Sequence, residues 1–470
     1  MSRGDGSGGH ARTGEPKLLL GAYDIASLGY TDDEFFVSGS ASSYAPVGEL
    51  GSDGRWDAAP SEVADYTTRI VVLKPSDVTK FNGTVIVEWL NVSGGIDAPA
   101  IWFMAHRELI REGYAYVAVS AQQVGIEGGA SLGMDMSLKK QDPERYWHLS
   151  HPEDAFSYDI FSQIGRLIHE SAGTGVLGRL NPEFVVAVGE SQSATFLTTY
   201  VNAVDPLVNI YDGYLIHSRF GPAAPLNGSS IFATPDASAP QAVKFRPDLR
   251  VPLVTVLTET DLVGGVRPGY YLARQPDTEW LRAWEIPGTA HADNYTIQVG
   301  RIDTGFAPLD QLVAAYAPTN TLMGQQLPHY INFAPQHHYV LQAAIAGLHG
   351  WIRTGVAPSK AARMELSDTD PPRLALDGNG LAKGGVRTPW VGVPIARTSG
   401  VGTDESPLSH LFGSGEPFDA ATVARLYPGG AAEYLDRFAE SLDAAIQSGY
   451  LLPADRQEIL DLAAATYPRG

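Results

Sequence analysis

Ser191 stands where a serine can act as a nucleophile. Residues 184–188 before it form a short apolar run rich in β-branched side chains, which is typical of a buried strand. From Ala194 onward the pattern is helical, and we expect this helix to end at Pro206. The turn between them reads G-E-S-Q-S, with small residues two positions before and two positions after the serine. This arrangement predicts a nucleophile elbow, in which bulkier flanks would collide with neighbouring strands.

A serine nucleophile needs a base and a third group that orients the base. In hydrolases with such an elbow the chain order is Ser, then an acid, then His. Asp261 and then His291 follow Ser191, each directly after a predicted strand. We therefore predict acyl transfer, in which His291 takes the Ser191 proton and Asp261 orients the imidazole. Glu259 is the alternative acid, and Asp261 is favoured because it lies further into its loop.

The oxyanion formed during acyl transfer needs backbone N–H donors that are fixed in advance. One donor is expected at Gln192, the residue after the nucleophile. The second is expected in the loop at residues 91–95, where the usual arrangement of this loop points to Ser93 first and Val92 second. Other residues near strand ends are candidates for lining a substrate pocket, although packing explains Trp89 and helix capping or a surface position explains His338 equally simply. The pocket candidates are Asn91, Trp89, Glu190, His217 and His338.

A sheet must bring these strand ends together. Strands are predicted at residues 35–44, 65–73, 84–90, 114–120, 184–188, 213–217, 251–257 and 281–286. Helical patterns lie between or after them, at residues 99–112, 155–170 and 336–354. Strands alternating with helices indicate an α/β fold with a mostly parallel sheet covered on both faces, whose working loops follow the carboxyl ends of the strands. Residues 306–333 show no such alternation, and we expect them to contribute to a lid.

The composition limits the class of protein. The net charge of −20 argues against nucleic acid or an anionic membrane as a partner. The chain has no cysteine, which excludes disulfides, thiolate metal sites and a cysteine nucleophile. No apolar run is long enough for a membrane span, and the polar, glycine-rich start lacks the apolar core of a signal peptide. We expect a cytoplasmic protein, with secretion left open.

We expect no cofactor and no metal. Residues 173–178 match G-x-G-x-x-G, but they precede a strand, whereas nucleotide binding needs the glycines between a strand and a helix. The spacing of His, Asp and Glu residues does not resemble a metal site. The expected partner is a small-molecule ester with a bulky or apolar group, and the oligomeric state is left open.

Seven segments carry a resemblance to a known family. In chain order they read V-E-W-L-N-V-S-G-G, S-Y-D-I-F-S-Q, G-E-S-Q-S-A, D-G-Y-L-I-H-S-R, T-E-T-D, H-A-D and G-G-V-R-T-P-W-V-G-V-P. Spread over residues 85 to 395, they resemble a branch of large bacterial serine hydrolases of the α/β-hydrolase superfamily. The resemblance implies that fold, a Ser-His-Asp/Glu triad and ester hydrolysis, without a substrate.

The sequence therefore predicts a cofactor-free serine carboxylesterase of α/β-hydrolase fold. We expect a flexible lead-in at 1–30, a core at 31–358 and a C-terminal addition at 359–470 packed on the core. Insertions in the core are expected at residues 121–152, 219–248 and 299–335. The alternatives are an acyltransferase, amidase or lactonase with the same triad, or a non-catalytic binding protein on a hydrolase scaffold.

Overall fold

The chain divides into two compact units that interleave along the sequence. The computed structural model describes residues 10–12, 14–129, 135–173, 175–231, 240–265, 267–322, 324–404 and 406–468. Unit 1 comprises Met1–Trp102, Glu108–Leu253 and Ala273–Gln275, and unit 2 comprises Phe103–Arg107, Val254–Leu272 and Pro276–Gly470. The domain boundaries predicted at residues 31 and 359 stay a prediction.

Seven strands of unit 1 lie in the order β1-β2-β3-β5-β4-β6-β7. They are β1 His10–Arg12, β2 Tyr30–Pro46, β3 Ala58–Pro75, β4 Thr84–Trp89, β5 Ala115–Val119, β6 Phe184–Glu190 and β7 Gly213–His217. Strand β4 pairs in parallel with β5 and β6, and β6 pairs in parallel with β7. Strands β2 and β3 form a long antiparallel hairpin. The carboxyl ends of the parallel strands, where the predicted site residues lie, therefore share one edge.

The sequence pattern explains the central strands. All residues of β4, β5 and β7 are buried, as are the five central residues of β6. Their Val, Ile and Leu side chains form continuous apolar runs, as expected for parallel strands covered on both faces. Removing this apolar surface from water stabilises the sheet by about 25 cal/mol for each Å² buried.

Helices connect the strands of unit 1. Helix α1 covers Ala100–Arg111. The other α-helices here are α2 Gln123–Glu127, α3 Leu138–Gln141, α4 Pro143–Tyr146, α5 Ser157–Glu170, α6 Gln192–Thr199 and α7 Asp205–Val208. In α5 the residues Ile160, Ile164 and Ile168 are buried on one face, which agrees with the helical pattern predicted at residues 155–170.

Unit 2 contains two adjacent strands, three short hairpins and most of the C-terminal helices. The strands are β8 Leu253–Thr258 and β9 Leu281–Ile286, with hairpins β10 Thr321–Leu322 and β11 Gln325–Gln326, β12 Leu366–Thr369 and β13 Pro372–Leu374, and β14 Ala396–Ser399 and β15 Ser414–Pro417. The helices are α8 Glu259–Val263, α9 Asn294–Ile297, α10 Leu309–Tyr316, α11 Gln336–Thr354, α12 Pro389–Gly392, α13 Pro407–Phe412, α14 Ala420–Leu426, α15 Gly430–Gln447 and α16 Arg456–Thr466. Tyr434, Phe438 and Leu442 of α15 are buried and form one apolar face of this helix.

Two local predictions are wrong, and one segment contains elements that its sequence did not indicate. Residues 306–333 contain helix α10 and the β10–β11 hairpin, although their sequence shows no clear periodicity, and their contribution to a lid stays a prediction. The chain after Ser191 is already helical at Gln192, and it continues through a π-helical turn at Tyr200–Val204 into α7. Pro206 does not stop it, because the π-helical turn interrupts the regular α-helical hydrogen bonds directly before Pro206, which lies in the first turn of α7. Asp261 lies in α8 and not in a loop.

Candidate active site

The turn between β6 and α6 holds Ser191 in a strained conformation. Its φ is 57° and its ψ is −114°, a region that residues with a side chain rarely adopt. The Ser191 N–H donates to the His217 carbonyl on β7 at 3.0 Å. Such strain persists only where the surroundings impose it, and it is concentrated at functional sites. Gly189 is required nearby, because a Cβ there would lie 2.8 Å from Leu197 Cδ1.

Ser193 closes this turn where a glycine is usual. Its hydroxyl donates to the Glu190 carbonyl at 2.8 Å and accepts from the Glu190 N–H at 3.1 Å. The side chain is fully buried. The departure from G-x-S-x-G therefore adds hydrogen bonds within the elbow, and the site still accommodates the small side chain.

The loop after β4 lies against the elbow. The Val92 N–H donates to Gln192 Oε1 at 3.3 Å, whereas the Ser93 N–H donates to Asn91 Oδ1 at 2.8 Å. Both N–H groups have a partner, but the Val92 bond is the longer of the two, so this geometry favours Val92 over Ser93 as an oxyanion donor. The Gln192 backbone N–H belongs to the first turn of α6, where N–H groups have no partner within the helix.

Among the pocket candidates in unit 1, Asn91 contacts the elbow directly. Its Nδ2 donates to the Glu190 carbonyl at 3.1 Å and to Glu190 Oε2 at 3.0 Å. Trp89 is fully buried, its ring packs against Tyr158, Phe161 and Phe196, and it thus serves the core. His217 is buried at the end of β7, with Nε2 3.3 Å from Ser218 Oγ.

Unit 2 brings Asp261 and His291 together. Asp261 Oδ1 lies 2.6 Å from His291 Nδ1, and Asp261 Oδ2 accepts from the Thr258 N–H at 2.7 Å and the Thr258 hydroxyl at 2.8 Å. Asp261 is fully buried and the His291 side chain is 8% exposed. Burial acts to raise the pKa of Asp261, but the His291 ring and these hydrogen bonds outweigh it and hold that pKa below its usual value.

Glu259, the alternative acid, has other partners. Its Oε1 accepts from the Gly288 N–H at 2.6 Å, and its Oε2 accepts from the Gly400 N–H and the Ser399 hydroxyl, both at 2.8 Å. Burial raises its pKa, and the hydrogen bonds lower it only in part. Both oxygens therefore hold loop backbone in place, which supports Asp261 as the acid that orients His291.

The remaining pocket candidate, His338, lies inside unit 2. Its ring stacks on Tyr295 with ring centres 3.7 Å apart. Its Nε2 lies 2.9 Å from the Tyr316 hydroxyl, and its Nδ1 lies 2.9 Å from Gln342 Nε2. Burial holds the pKa of His338 well below its usual value, so the ring is neutral at pH 7. These contacts describe a core histidine.

The described residues contain neither a metal-binding cluster nor a membrane-spanning helix. Within the described ranges, no group of three or more His, Asp or Glu side chains is arranged to hold a metal ion. Over the same ranges, no helix has both the length and the apolar character needed to cross a membrane.

The model of the alpha/beta hydrolase domain family matches residues 4–461. This chain belongs to that family. The predicted fold class is confirmed, and family membership supports a hydrolase in general terms. No curated protein matches the sequence at a significant level.

Solved structures similar to this alpha/beta hydrolase include enzymes described as esterases. A candidate dienelactone hydrolase from Klebsiella pneumoniae has 13% identity, with 60% of this chain and 95% of that chain covered and a TM-score of 0.31. A fungal esterase from Rhizomucor miehei has 13% identity, with 68% and 86% covered and a TM-score of 0.29. A glucuronoyl esterase from Solibacter usitatus has 9% identity, with 61% and 83% covered and a TM-score of 0.30.

Sequence reasoning missed the polar residues that bond the side chain of Gln192, next to the loop after β4. Gln192 Nε2 donates to Gln122 Oε1 at 2.7 Å, and Gln122 Nε2 donates to Asp154 Oδ2 at 2.7 Å. The sequence contained only a weak indication of these residues. Gln122 and Asp154 flank the long polar segment after β5, and long segments of this kind often contribute to a site.

Proposed function

We propose that this alpha/beta hydrolase cleaves carboxylic esters through an acyl-enzyme on Ser191. The observation that carries the proposal is the strained backbone of Ser191, at the carboxyl end of a buried strand and at the N-terminus of α6. A serine in this position presents its Oγ outward from the sheet. The contact between Asp261 and His291 supplies the second part of the chemistry.

In the proposed reaction, His291 Nε2 accepts the Ser191 proton as Oγ attacks the ester carbonyl carbon. Asp261 holds the proton on Nδ1, so that Nε2 is the unprotonated nitrogen that acts as the base, and it stabilises the imidazolium that forms. The backbone N–H groups of Gln192 and Val92 stabilise the oxyanion. The imidazolium then gives its proton to the departing alkoxide, which leaves as the alcohol.

Water completes the cycle. His291 removes a proton from a water molecule as the water oxygen adds to the acyl carbon. The second oxyanion then collapses and releases the carboxylic acid, while the His291 imidazolium returns its proton to Ser191 Oγ and restores the hydroxyl. We propose an ester over an amide as substrate, as the family resemblance of the sequence implies. The bulky or apolar group is proposed from the segments at residues 121–152 and 306–333 and from the C-terminal part of the chain.

The test combines labelling with kinetics. A fluorophosphonate probe should label the wild-type protein at the peptide that contains Ser191, and Ser191→Ala should remove both the label and the hydrolysis of p-nitrophenyl esters. Ser229→Ala is the matched control, because Ser229 is exposed, and it should keep both. Label on another peptide, or unchanged activity in Ser191→Ala, would overturn the proposal.

Substrate preference needs a second comparison. Esters of graded chain length, the matching amides, lactones, and esters with an added alcohol acceptor should be compared by kcat/KM. Esters with water as acceptor are expected to be the best substrates. A higher rate with an amide or lactone, or with transfer to the alcohol, would replace the esterase assignment while keeping the triad.

A further inference from the structure

A chain of four hydrogen-bonded groups leads from Asp154 to Val92 in the loop after β4. Asp154 Oδ2 accepts from Gln122 Nε2 at 2.7 Å. Gln122 Oε1 accepts from Gln192 Nε2 at 2.7 Å, and Gln192 Oε1 accepts from the Val92 N–H at 3.3 Å. Gln122, Gln192 and Val92 are all at most 4% exposed. The chain lies entirely within unit 1.

The direction of each hydrogen bond is set by groups that can act in only one way. The indole N–H of Trp89 can only donate, and it lies 3.0 Å from Gln122 Oε1. The atom of Gln122 beside Trp89 must therefore be the oxygen, so its amide nitrogen faces Asp154. Since Gln122 presents an oxygen to Gln192, Gln192 must present its nitrogen. The Gln192 oxygen is thereby left facing the Val92 N–H.

A second contact fixes the same loop from the other side. Asn91 Nδ2 donates to the Glu190 carbonyl, and Asn91 Oδ1 accepts from the Ser93 N–H. The residues immediately before and after Ser191 are thus both bonded to the loop around Val92. The Val92 peptide cannot rotate without breaking one of these contacts.

We propose that Gln122 and the Gln192 side chain are positioning residues, which aim the Val92 N–H at the oxyanion of the ester reaction. This inference rests on the proposed function. The bond from Val92 to Gln192 Oε1 is at the long end of the range for N–H···O, so the proton remains available to a stronger acceptor. An oxyanion is such an acceptor, because hydrogen bonds to charged groups are about twice as strong.

Replacing Gln192 or Gln122 by Met keeps the length of the side chain and removes its amide. The Val92 donor stays but loses its orientation, so the loss should be smaller than the roughly 10²- to 10³-fold that follows removal of an oxyanion donor. We expect kcat to fall about 10- to 100-fold in Gln192→Met, with KM changed less than about threefold. The inhibition constant of a trifluoromethyl ketone should rise in parallel with the loss of kcat/KM.

The double variant separates positioning from general damage. If both glutamines act through Val92, Gln122→Met in a Gln192→Met background should cost less than about a further threefold in kcat. Gln163→Met is the matched control, since its amide bonds Ser40, Asp159 and Tyr66 on another part of unit 1. It should leave kcat and the inhibition constant unchanged. Should Gln192→Met fail to fold, Gln192→Glu is the second variant. It keeps the shape of the side chain but places a carboxylate oxygen against Gln122 Oε1, and it is expected to show at least the same loss of kcat.

The outcomes are distinguishable. A wild-type protein that is active and labelled at Ser191, with kcat unchanged in Gln192→Met or Gln192→Glu, would overturn the positioning role and leave the esterase proposal intact. Multiplicative losses in the double variant would also overturn it. A wild-type protein that neither hydrolyses esters nor is labelled at Ser191 would overturn both proposals.

Discussion

Asp261→Asn is expected to stop catalysis without disturbing the fold. Asp261 Oδ2 accepts two hydrogen bonds from Thr258, one from its N–H and one from its hydroxyl. An asparagine must keep its oxygen on this side, because an amide nitrogen would face the Thr258 N–H. The NH₂ group then points at His291 Nδ1, which lies 2.6 Å from Oδ1 in the wild-type protein.

The consequence is the wrong tautomer of His291. Nδ1 must accept a hydrogen bond, so the ring proton moves to Nε2, and Nε2 can no longer take a proton from Ser191. A loss of about 10³- to 10⁴-fold in kcat follows from such a tautomer change. This corresponds to about 4 to 5.5 kcal/mol of activation free energy. Stability should change little, since the volume and the Thr258 contacts are kept.

Glu259→Gln is the matched comparison. Unlike Asp261→Asn, it should keep activity and lose stability. Glu259 accepts hydrogen bonds from Gly288, Ser399 and Gly400, and a glutamine amide would turn its NH₂ toward some of these donors. We expect a loss of about 1–3 kcal/mol in the free energy of unfolding. The value of kcat should stay within about tenfold of wild type, because Asp261 still orients His291.

The assay is p-nitrophenyl ester hydrolysis at saturating substrate, with urea unfolding of each variant. Asp261→Asn should be inactive and stable, whereas Glu259→Gln should be active and less stable. If Glu259→Gln lost the larger part of kcat while Asp261→Asn kept it, the assignment of the acid would be wrong.

Two further predictions concern the elements that carry the site. Burial raises the pKa of Glu88 to about 8, above its unfolded value, so the folded protein binds this proton more tightly and stability is lost as pH rises from about 5 to about 8. Glu88→Gln lacks this titration. The unfolding free energy of wild type, measured in urea, should therefore fall relative to that of the variant as pH rises over that range. A difference that does not change with pH would contradict this prediction. Ser193→Gly removes the two hydrogen bonds to Glu190 and should lower the unfolding free energy by about 1 kcal/mol. The turn at Ser191 still accommodates the smaller glycine, so kcat should stay within severalfold of the wild-type value. A loss of kcat as large as that of Ser191→Ala would contradict this role of Ser193.

Periodicity and turn chemistry alone indicated much of the fold. The apolar runs at β4, β6, β7 and β9 are strands, and the stripe of Gln336–Thr354 is a helix over the predicted residues. The position of Ser191 between a buried strand and a helix was also visible in the sequence. These features depend on neighbours along the chain, so the sequence alone determined them. Helix α10 lies in a segment without clear periodicity, and local patterns did not reveal it.

Tertiary structure decided the choices that depend on distant partners. Glu259 and Asp261 are two residues apart, and the sequence favoured Asp261 only by its place in an expected loop, which is helix α8 in the structure. The partners decide the choice, because Ser399 and Gly400 bind Glu259 while His291 lies against Asp261. In the same way, Asn91 uses the Ser93 N–H, and Gln122 could be recognised as a neighbour of Gln192 only after folding. A carboxylate or amide binds whichever group the fold brings within about 3 Å, and this distance is set by packing, which no local pattern contains.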